Sequence, residues 1–353
     1  MTLLANLLTY ILPLLPEMGL QPSTAELLFA GDAMMHEAQI YAAKTSEGYD
    51  FNTCFDSIKP YIETADFAVV NFEASLGGKP YRGYPCFSAP DEYPQALIDA
   101  GFDYLLLANN HILDRRDKGL HRTISTLDSL HVPHCGIYHN EASRDSLSPH
   151  IVDVKGFKIG ILNYTYGTNG IEIQHDAVVN YIDTIRIAQD IKSARTAGAE
   201  IIAACIHWGD EYRLLPNNHQ KRLADWLIKK DVDIIIGSHP HVIQPMQMHN
   251  VNGKNVVLVY SLGNFISNMK TADTRGGATV RIKLERDENG IATVKSASYS
   301  LVFTEPPSMQ RRNFRLMPAE RSDDYRAKIF IKNAEAIFDK HNINVPKYVS
   351  NSQ

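Results

Sequence analysis

Residues 201–211 read Ile-Ile-Ala-Ala-Cys-Ile-His-Trp-Gly-Asp-Glu. Six apolar or small residues in succession, rich in isoleucine, predict a buried strand, and His207 stands at its carboxyl end. A helix is predicted before it over 184–197, stopped by Gly198. Another is predicted after it over 219–230, with apolar positions at Leu223, Trp226 and Leu227. A second isoleucine run, Ile234-Ile235-Ile236, follows that helix. Strand, helix, strand with fully apolar strands is the signature of an α/β sheet.

The same punctuation recurs outward from this stretch. Leu27–Ala30 precedes Gly31-Asp32 and His36. Phe67–Val70 precedes Asn71-Phe72-Glu73, and Leu105–Ala108 precedes Asn109-Asn110-His111. Ile234–Ile236 runs into Gly237-Ser238-His239-Pro240-His241. In open α/β sheets the carboxyl ends of the strands form the ligand edge. Carboxylate, amide and imidazole groups collected there suit divalent cations better than a nucleophilic triad. Any one cluster has an ordinary structural reading: Asp32 as a helix cap, Glu73 as a carboxylate at a helix start, His36 as a capping histidine. Five clusters at successive strand ends are hard to explain that way. His36 lies four residues after Asp32, so one helical turn would put both on one face. His239 and His241, at i and i+2 in extended backbone, would share a side, and Pro240 would stiffen them. His111, whose type titrates near neutral pH, is the candidate proton donor. The remaining histidines lie on predicted helices, loops or polar runs and carry no assigned role.

The rest of the chain fits one large domain with additions. Further helices are predicted over 92–100 and 118–130, and a hairpin over 151–166 around Lys155-Gly156. Tyr138–Ser148 reads as a polar surface loop. Residues 278–284 and 291–303 read as an antiparallel pair, and 323–340 as a terminal helix. The expected division is a hydrophobic segment over 1–25, a main domain over 26–304 and a tail over 305–353 that packs on it. With 353 residues, 44% hydrophobic and 21% charged, the composition is that of a globular protein. A net charge of −5 offers no general basic field, which argues against nucleic acid as a partner. Cys54, Cys86, Cys135 and Cys205 show no metal or redox spacing and are expected to be mostly reduced. Met1–Leu20 is apolar with Glu17 as its one charge. It lacks a basic leader and a small-residue cleavage site, and Pro13 and Pro16 would break a spanning helix. The expectation is a segment packed on the domain, with a degenerate export signal or membrane anchor as the sharper alternative.

Taken in order, Gly-Asp-x-Met, Asn-x-Glu, Asn-Asn-His, His-Trp-Gly-x-Glu-Tyr, Gly-Ser-His-Pro-His and Tyr260-Ser-Leu-Gly-Asn-Phe265 resemble the CapA family of poly-γ-glutamate capsule biosynthesis, over about residues 26–265. That family in turn resembles the calcineurin-like metallophosphoesterases. The resemblance implies a four-layer αββα sandwich of metallo-dependent phosphatase type, here with a C-terminal β-hairpin and helix extension. It implies two divalent metal ions (Mn, Fe, Zn or Mg). Asp32 and His241 would hold one, Asn110, His207 and His239 the other, and Glu73 would bridge them. His111 matches the general acid. Two departures stand out: Met34 replaces a liganding histidine of the superfamily, for which His36 is the candidate substitute, and Arg115-Arg116 follow Asp114 where the family usually has glycine.

The resulting expectation is a metal-dependent hydrolase, with Asn109 or Arg115 stabilising the developing anion and with Glu211, Arg115 and Arg82 meeting the substrate. The substrate would be an anionic polymer or a phosphoester. The rival is a non-catalytic subunit of a polyglutamate synthesis or export assembly, beside membrane-bound capsule proteins. The compartment stays open between the bacterial cytoplasm and the cell envelope, with no clear signal peptide.

Overall fold

The computed structural model describes residues 24–349, so the expected segment over residues 1–20 lies outside the described residues. The strands are β1 (Thr24–Met34), β2 (Phe67–Glu73), β3 (Tyr104–Leu106), β4 (His134–Cys135), β5 (Ile137–Tyr138), β6 (His150–Val154), β7 (Phe157–Thr165) and β8 (Val178–Val179). They continue with β9 (Ile201–His207), β10 (Ile234–Ser238), β11 (Met246–Val251), β12 (Lys254–Val259), β13 (Asn264–Ile266), β14 (Gly276–Arg286), β15 (Ala292–Glu305) and β16 (Arg315–Pro318). The helices are α1 (Glu37–Ala43), α2 (Lys59–Ile62), α3 (Glu92–Asp99), α4 (Arg116–Ser129), α5 (Glu141–Leu147), α6 (Thr184–Thr196), α7 (Asn218–Lys229) and α8 (Tyr325–His341).

Two large sheets form. The first runs β16-β15-β14-β1-β2-β3-β4, with β13 added in parallel beside the end of β1; the second runs β11-β12-β10-β9-β7-β6. The central strands are buried on both faces, which is why they read as unbroken apolar runs. Along β1, Leu28 and Ala30 face one core while Leu27 and Phe29 face another. The first core packs the sheet against α1–α4 residues such as Ile40, Leu97 and Leu120. The second lies between the sheets, where Leu27, Phe29 and Val69 meet Ile201, Ile234 and Val257. A third covers the outer face of the second sheet with Ile187 of α6 and Leu227 of α7. Helix, sheet, sheet, helix is the expected four-layer order.

One local expectation needs correction. The stretch after Tyr138 is not a loop throughout: α5 forms because Asn140 accepts from the Ser143 N–H at 2.8 Å while the Ser143 hydroxyl takes the Asn140 N–H at 3.0 Å. The C-terminal hairpin lies within the main domain. Strand β14 pairs antiparallel with β1 from Thr24↔Glu285 to Ala30↔Thr279, so the hairpin completes the first sheet. Helix α8 sends Phe330 and Phe338 into the core between the sheets. Among the described residues no helix is long and apolar enough to cross a membrane. All four cysteines are free, three buried and Cys86 exposed.

Candidate metal centre

Both sheets end at one place. Asp32 is delivered where β1 breaks register between Ala30 and Asp32 and turns to pair with β13. Gly31 is required there, because a Cβ would lie 1.9 Å from the Gly263 carbonyl oxygen. Glu73 comes from the end of β2, paired with Met34 in register. His207 ends β9 directly beside Ser238 of β10. Asn110 follows β3, and His239 and His241 follow β10. All six side chains are buried.

Distances define the cluster. His207 Nε2 lies 3.0 Å from Asn110 Oδ1 and 3.7 Å from Glu73 Oε1. His241 Nε2 lies 3.6 Å from the same Glu73 oxygen. Glu73, His239 and His241 converge within 4.8 Å, as do Asp32, Glu73 and His207, so Glu73 belongs to both sets. The outer nitrogens are spoken for. His207 Nδ1 contacts Ser238 Oγ at 2.9 Å, and His241 Nδ1 contacts Asp32 Oδ2 and Asn264 Oδ1, both at 3.1 Å. This fixes each ring and turns its Nε2 lone pair inward. The second oxygen of Asp32 accepts from Asn71 Nδ2 at 2.8 Å.

The interior of this cluster is rich in acceptors and poor in donors. Both Glu73 oxygens and His239 Nδ1 are buried without a hydrogen-bond partner. Burial, then the neighbouring Asp32 and Glu211 charges, push the Glu73 carboxyl well above its ordinary range. Burial, then the adjacent histidines, hold His207 well below its ordinary value, and His239 down to about 3. Asp32 and Glu73 among three imidazoles, with orphaned lone pairs between them, form a donor set that suits a divalent cation.

The model of the family described as "Bacterial capsule synthesis protein PGA_cap" matches residues 26–269. The chain belongs to that family. It is 27% identical over 277 residues to the capsule biosynthesis protein CapA of Bacillus anthracis, covering 75% of this chain and 65% of that one. It is 28% identical over 268 residues to the PGA biosynthesis protein CapA of Bacillus subtilis (strain 168), covering 74% and 68%. The chain thus spans about two thirds of the length of these curated relatives. Among solved structures, the Haemophilus influenzae NAD nucleotidase aligns with a TM-score of 0.46 at 13% identity, over 92% of this chain and 57% of that one. A putative 5'-nucleotidase from Staphylococcus aureus aligns with a TM-score of 0.48 at 17% identity, over 89% and 58%.

In this PGA_cap member the other expected residues divide. His111 is buried beside the cluster, its Nδ1 2.9 Å from Asp114 Oδ2, which also accepts from the Phe87 N–H at 2.7 Å. The Asn109 side chain is taken up by backbone groups. Its Nδ2 donates to the carbonyls of Phe72 and Leu107, at 2.8 and 3.1 Å, and its Oδ1 accepts from the His111 N–H at 3.0 Å. It shapes the turn that presents His111. His36 shares no helical face with Asp32, because β1 runs on to Met34. It stands before α1, where its N–H donates to Gln39 Oε1 at 2.8 Å and its Nδ1 meets the Asn268 N–H at 3.3 Å. Met34, the other departure, is buried in the helix-side core. His239 and His241 are not extended: their φ values are 97° and 57°, a left-handed backbone that non-glycine residues rarely adopt. That twist, with Tyr212 N–H donating to the Pro240 carbonyl at 2.8 Å, is what aims both rings inward.

Glu211 is exposed, yet close enough for its charge to raise Glu73, Tyr166 and Tyr212. Arg115 is half-buried, with its Cβ and Cγ against Gly77 and Gly119, and Arg82 is exposed on the 77–90 loop. Neither makes a polar contact with the cluster. Three tyrosines form its rim. Tyr166 lies 4.6 Å from the His239 ring, Tyr212 lies 6.3 Å from His241, and Tyr84 lies 6.3 Å from His111 (centroid distances). Asn169 also reaches in, accepting from Asn110 Nδ2 at 3.3 Å. Tyr166 and Asn169 follow β7 with no spacing signal, so only the fold reveals them.

Proposed function

We propose that this chain is a metal-dependent hydrolase of capsule-polymer metabolism, cleaving a γ-glutamyl amide or a phosphoester. The observation that carries the reading is Glu73: fully buried, with both oxygens unpartnered, between Asp32 and three imidazoles. Asp32, Glu73, Asn110, His207, His239 and His241 would hold two divalent ions, with Glu73 common to both. When bound, such ions supply Lewis-acid activation of water and charge neutralisation at the scissile group. The chain's own part is then positional. Asp114, an acceptor only, fixes the His111 proton on Nδ1 and leaves Nε2 to carry the second proton toward a leaving atom. Glu211 and the rim tyrosines border the mouth, and Arg115 and Arg82 are the proposed anion contacts. The family and its curated relatives support the capsule link, and the proposed partners are membrane-bound proteins of capsule synthesis.

A second reading, a non-catalytic subunit of the same assembly, is favoured by one feature. Met34, where the wider superfamily resemblance implies a liganding histidine, is packed away in the core. One experiment separates the two. Purified protein is loaded with Mn, Zn or Fe, its metal content measured, and γ-glutamyl oligomers and phosphoesters offered. The hydrolase reading expects bound metal and turnover, both lost in His239→Ala. Stoichiometric metal without turnover of either substrate class would favour the subunit, and failure to bind metal would defeat the hydrolase.

A further inference from the structure

Histidines that play no part at the metal centre gather along one side of the sandwich, where β4 ends the first sheet and β6 ends the second. His121 comes from α4, His131 from the turn after it, His134 from β4, His139 from the end of β5 and His150 from the start of β6. His131, His134, His139 and His150 line a cavity of about 410 Å³ together with Asp128 and Ser143 among others. The cavity lies at the far end of α4 from His111: Arg116 to Asp128 is about 18 Å of helix at 1.5 Å per residue. Among the described residues no lysine or arginine lines it.

Hydrogen bonds decide which ring nitrogens are free. His134 Nδ1 donates to the Val132 carbonyl at 2.8 Å, so its Nε2 keeps a lone pair, and that Nε2 lies 3.9 Å from Asp128 Oδ1. His139 Nδ1 lies 2.9 Å from His121 Nδ1, with 15° between the ring planes. Two facing nitrogens at that distance share one proton. With it on His139, the His139 Nε2 is a second lone pair for the cavity. Burial, then the neighbouring His121, hold His139 below its ordinary value, which keeps the ring neutral at pH 7. His150 differs: the Tyr104 hydroxyl holds its Nδ1, and burial keeps that hydroxyl protonated, so the His150 proton sits on Nε2 and the ring is a donor. The Asp128 side chain is 62% exposed and, among the described residues, has no polar partner besides His134.

We propose that this cavity is a second metal site, in which His134, His139 and Asp128 hold a divalent late transition ion such as Zn²⁺. Two imidazoles and a carboxylate suit such an ion, whereas magnesium or calcium would find a single carboxylate among nitrogens. The Val132 carbonyl and His121 stand behind the two rings as the outer partners that orient liganding histidines. Among the described residues these three donors do not already surround one point, as those of the main centre do. Asp128, exposed on the last turn of α4, closes the set by side-chain rotation. Three protein ligands leave a fourth position open to the cavity. The ion ties the end of α4 to β4 and to the residue after β5. Nothing in this site depends on the hydrolase reading.

The probe is Zn²⁺ alone, and the readout is zinc bound per full chain in equilibrium dialysis. His134→Ala and His139→Ala are each expected to bind one equivalent less than wild type. His239→Ala should keep that equivalent, and adding His134→Ala to it should remove it. His121→Ala should weaken the same equivalent about 10–100-fold without abolishing it, because it takes away an orienting partner and no ligand. Asp128→Asn, on the exposed end of α4, should weaken it too, which guards against a folding defect in the histidine variants. Equal zinc content and affinity in wild type, His134→Ala and His139→Ala would overturn the proposal. Zinc lost in His239→Ala alone would leave the main centre standing and defeat this site. Zinc lost in His134→Ala and His139→Ala but not in His239→Ala would support this site and count against the hydrolase.

Discussion

Glu73 is the residue on which the charge balance of the centre turns, and His111 is the residue on which its proposed chemistry turns. His111 sits outside the ligand cluster, so its loss should separate chemistry from metal binding. His111→Ala is expected to slow turnover by about 10²–10⁴-fold with metal content unchanged. Asp114→Asn should cost less, about 10–100-fold, because it disturbs the tautomer and aim of the ring without removing it. Steady-state rates beside elemental analysis check both, and metal lost in step with activity would reassign His111 as a ligand. Residue types were largely legible in the sequence: Asp32, Glu73, Asn110, His207, His239 and His241 all follow apolar runs, and all converge. What a single sequence hides is where each polar atom points. Asn109 and Asn110 are adjacent and identical, yet one is consumed by backbone groups and the other faces His207.

At the scale of elements, the junction of β15, β16 and α8 shows how the C-terminal part is bound to the first sheet. Glu305 accepts from Arg315 Nη2 at 2.8 Å and from the Ser322 hydroxyl at 2.6 Å, and pairs with Arg311 at 3.1 Å. Burial alone would raise this carboxyl, but the Ser322 hydroxyl and the two guanidinium groups bring it below its usual 4.5. A depressed folded-state value means stability that is present above about pH 4.5 and lost as pH falls through the lower folded value. Glu305→Gln should therefore cost about 1–2 kcal/mol near neutrality, discounted because Arg311 and Arg315 are open to solvent. The gap from wild type should close in acid, and urea unfolding across pH reads it directly. The long strands and the helices α3, α4, α6, α7 and α8 follow their hydrophobic periods, which is why the sequence places them within a few residues. Helix α5 escaped because its signal is one Asn-to-Ser cap in a polar stretch. The backbone of 239–241 escaped because a left-handed twist is imposed by the surroundings and leaves no mark in composition.

The whole molecule is two sheets whose ligand edges meet. Neither sheet holds a site alone: β1, β2 and the turn after β3 supply Asp32, Glu73 and Asn110, while β9 and the turn after β10 supply the three histidines. The core between the sheets sets their spacing, so the centre is a consequence of the sandwich. Strand β14 and helix α8 complete that core. The most direct test of the central claim is anomalous diffraction at a metal edge from crystals of the full chain grown with Mn or Zn. The account predicts peaks enclosed by Asp32, Glu73, Asn110, His207, His239 and His241, with Glu73 touching both. No peak among those residues at saturating metal, or a peak that leaves Glu73 untouched, would contradict it.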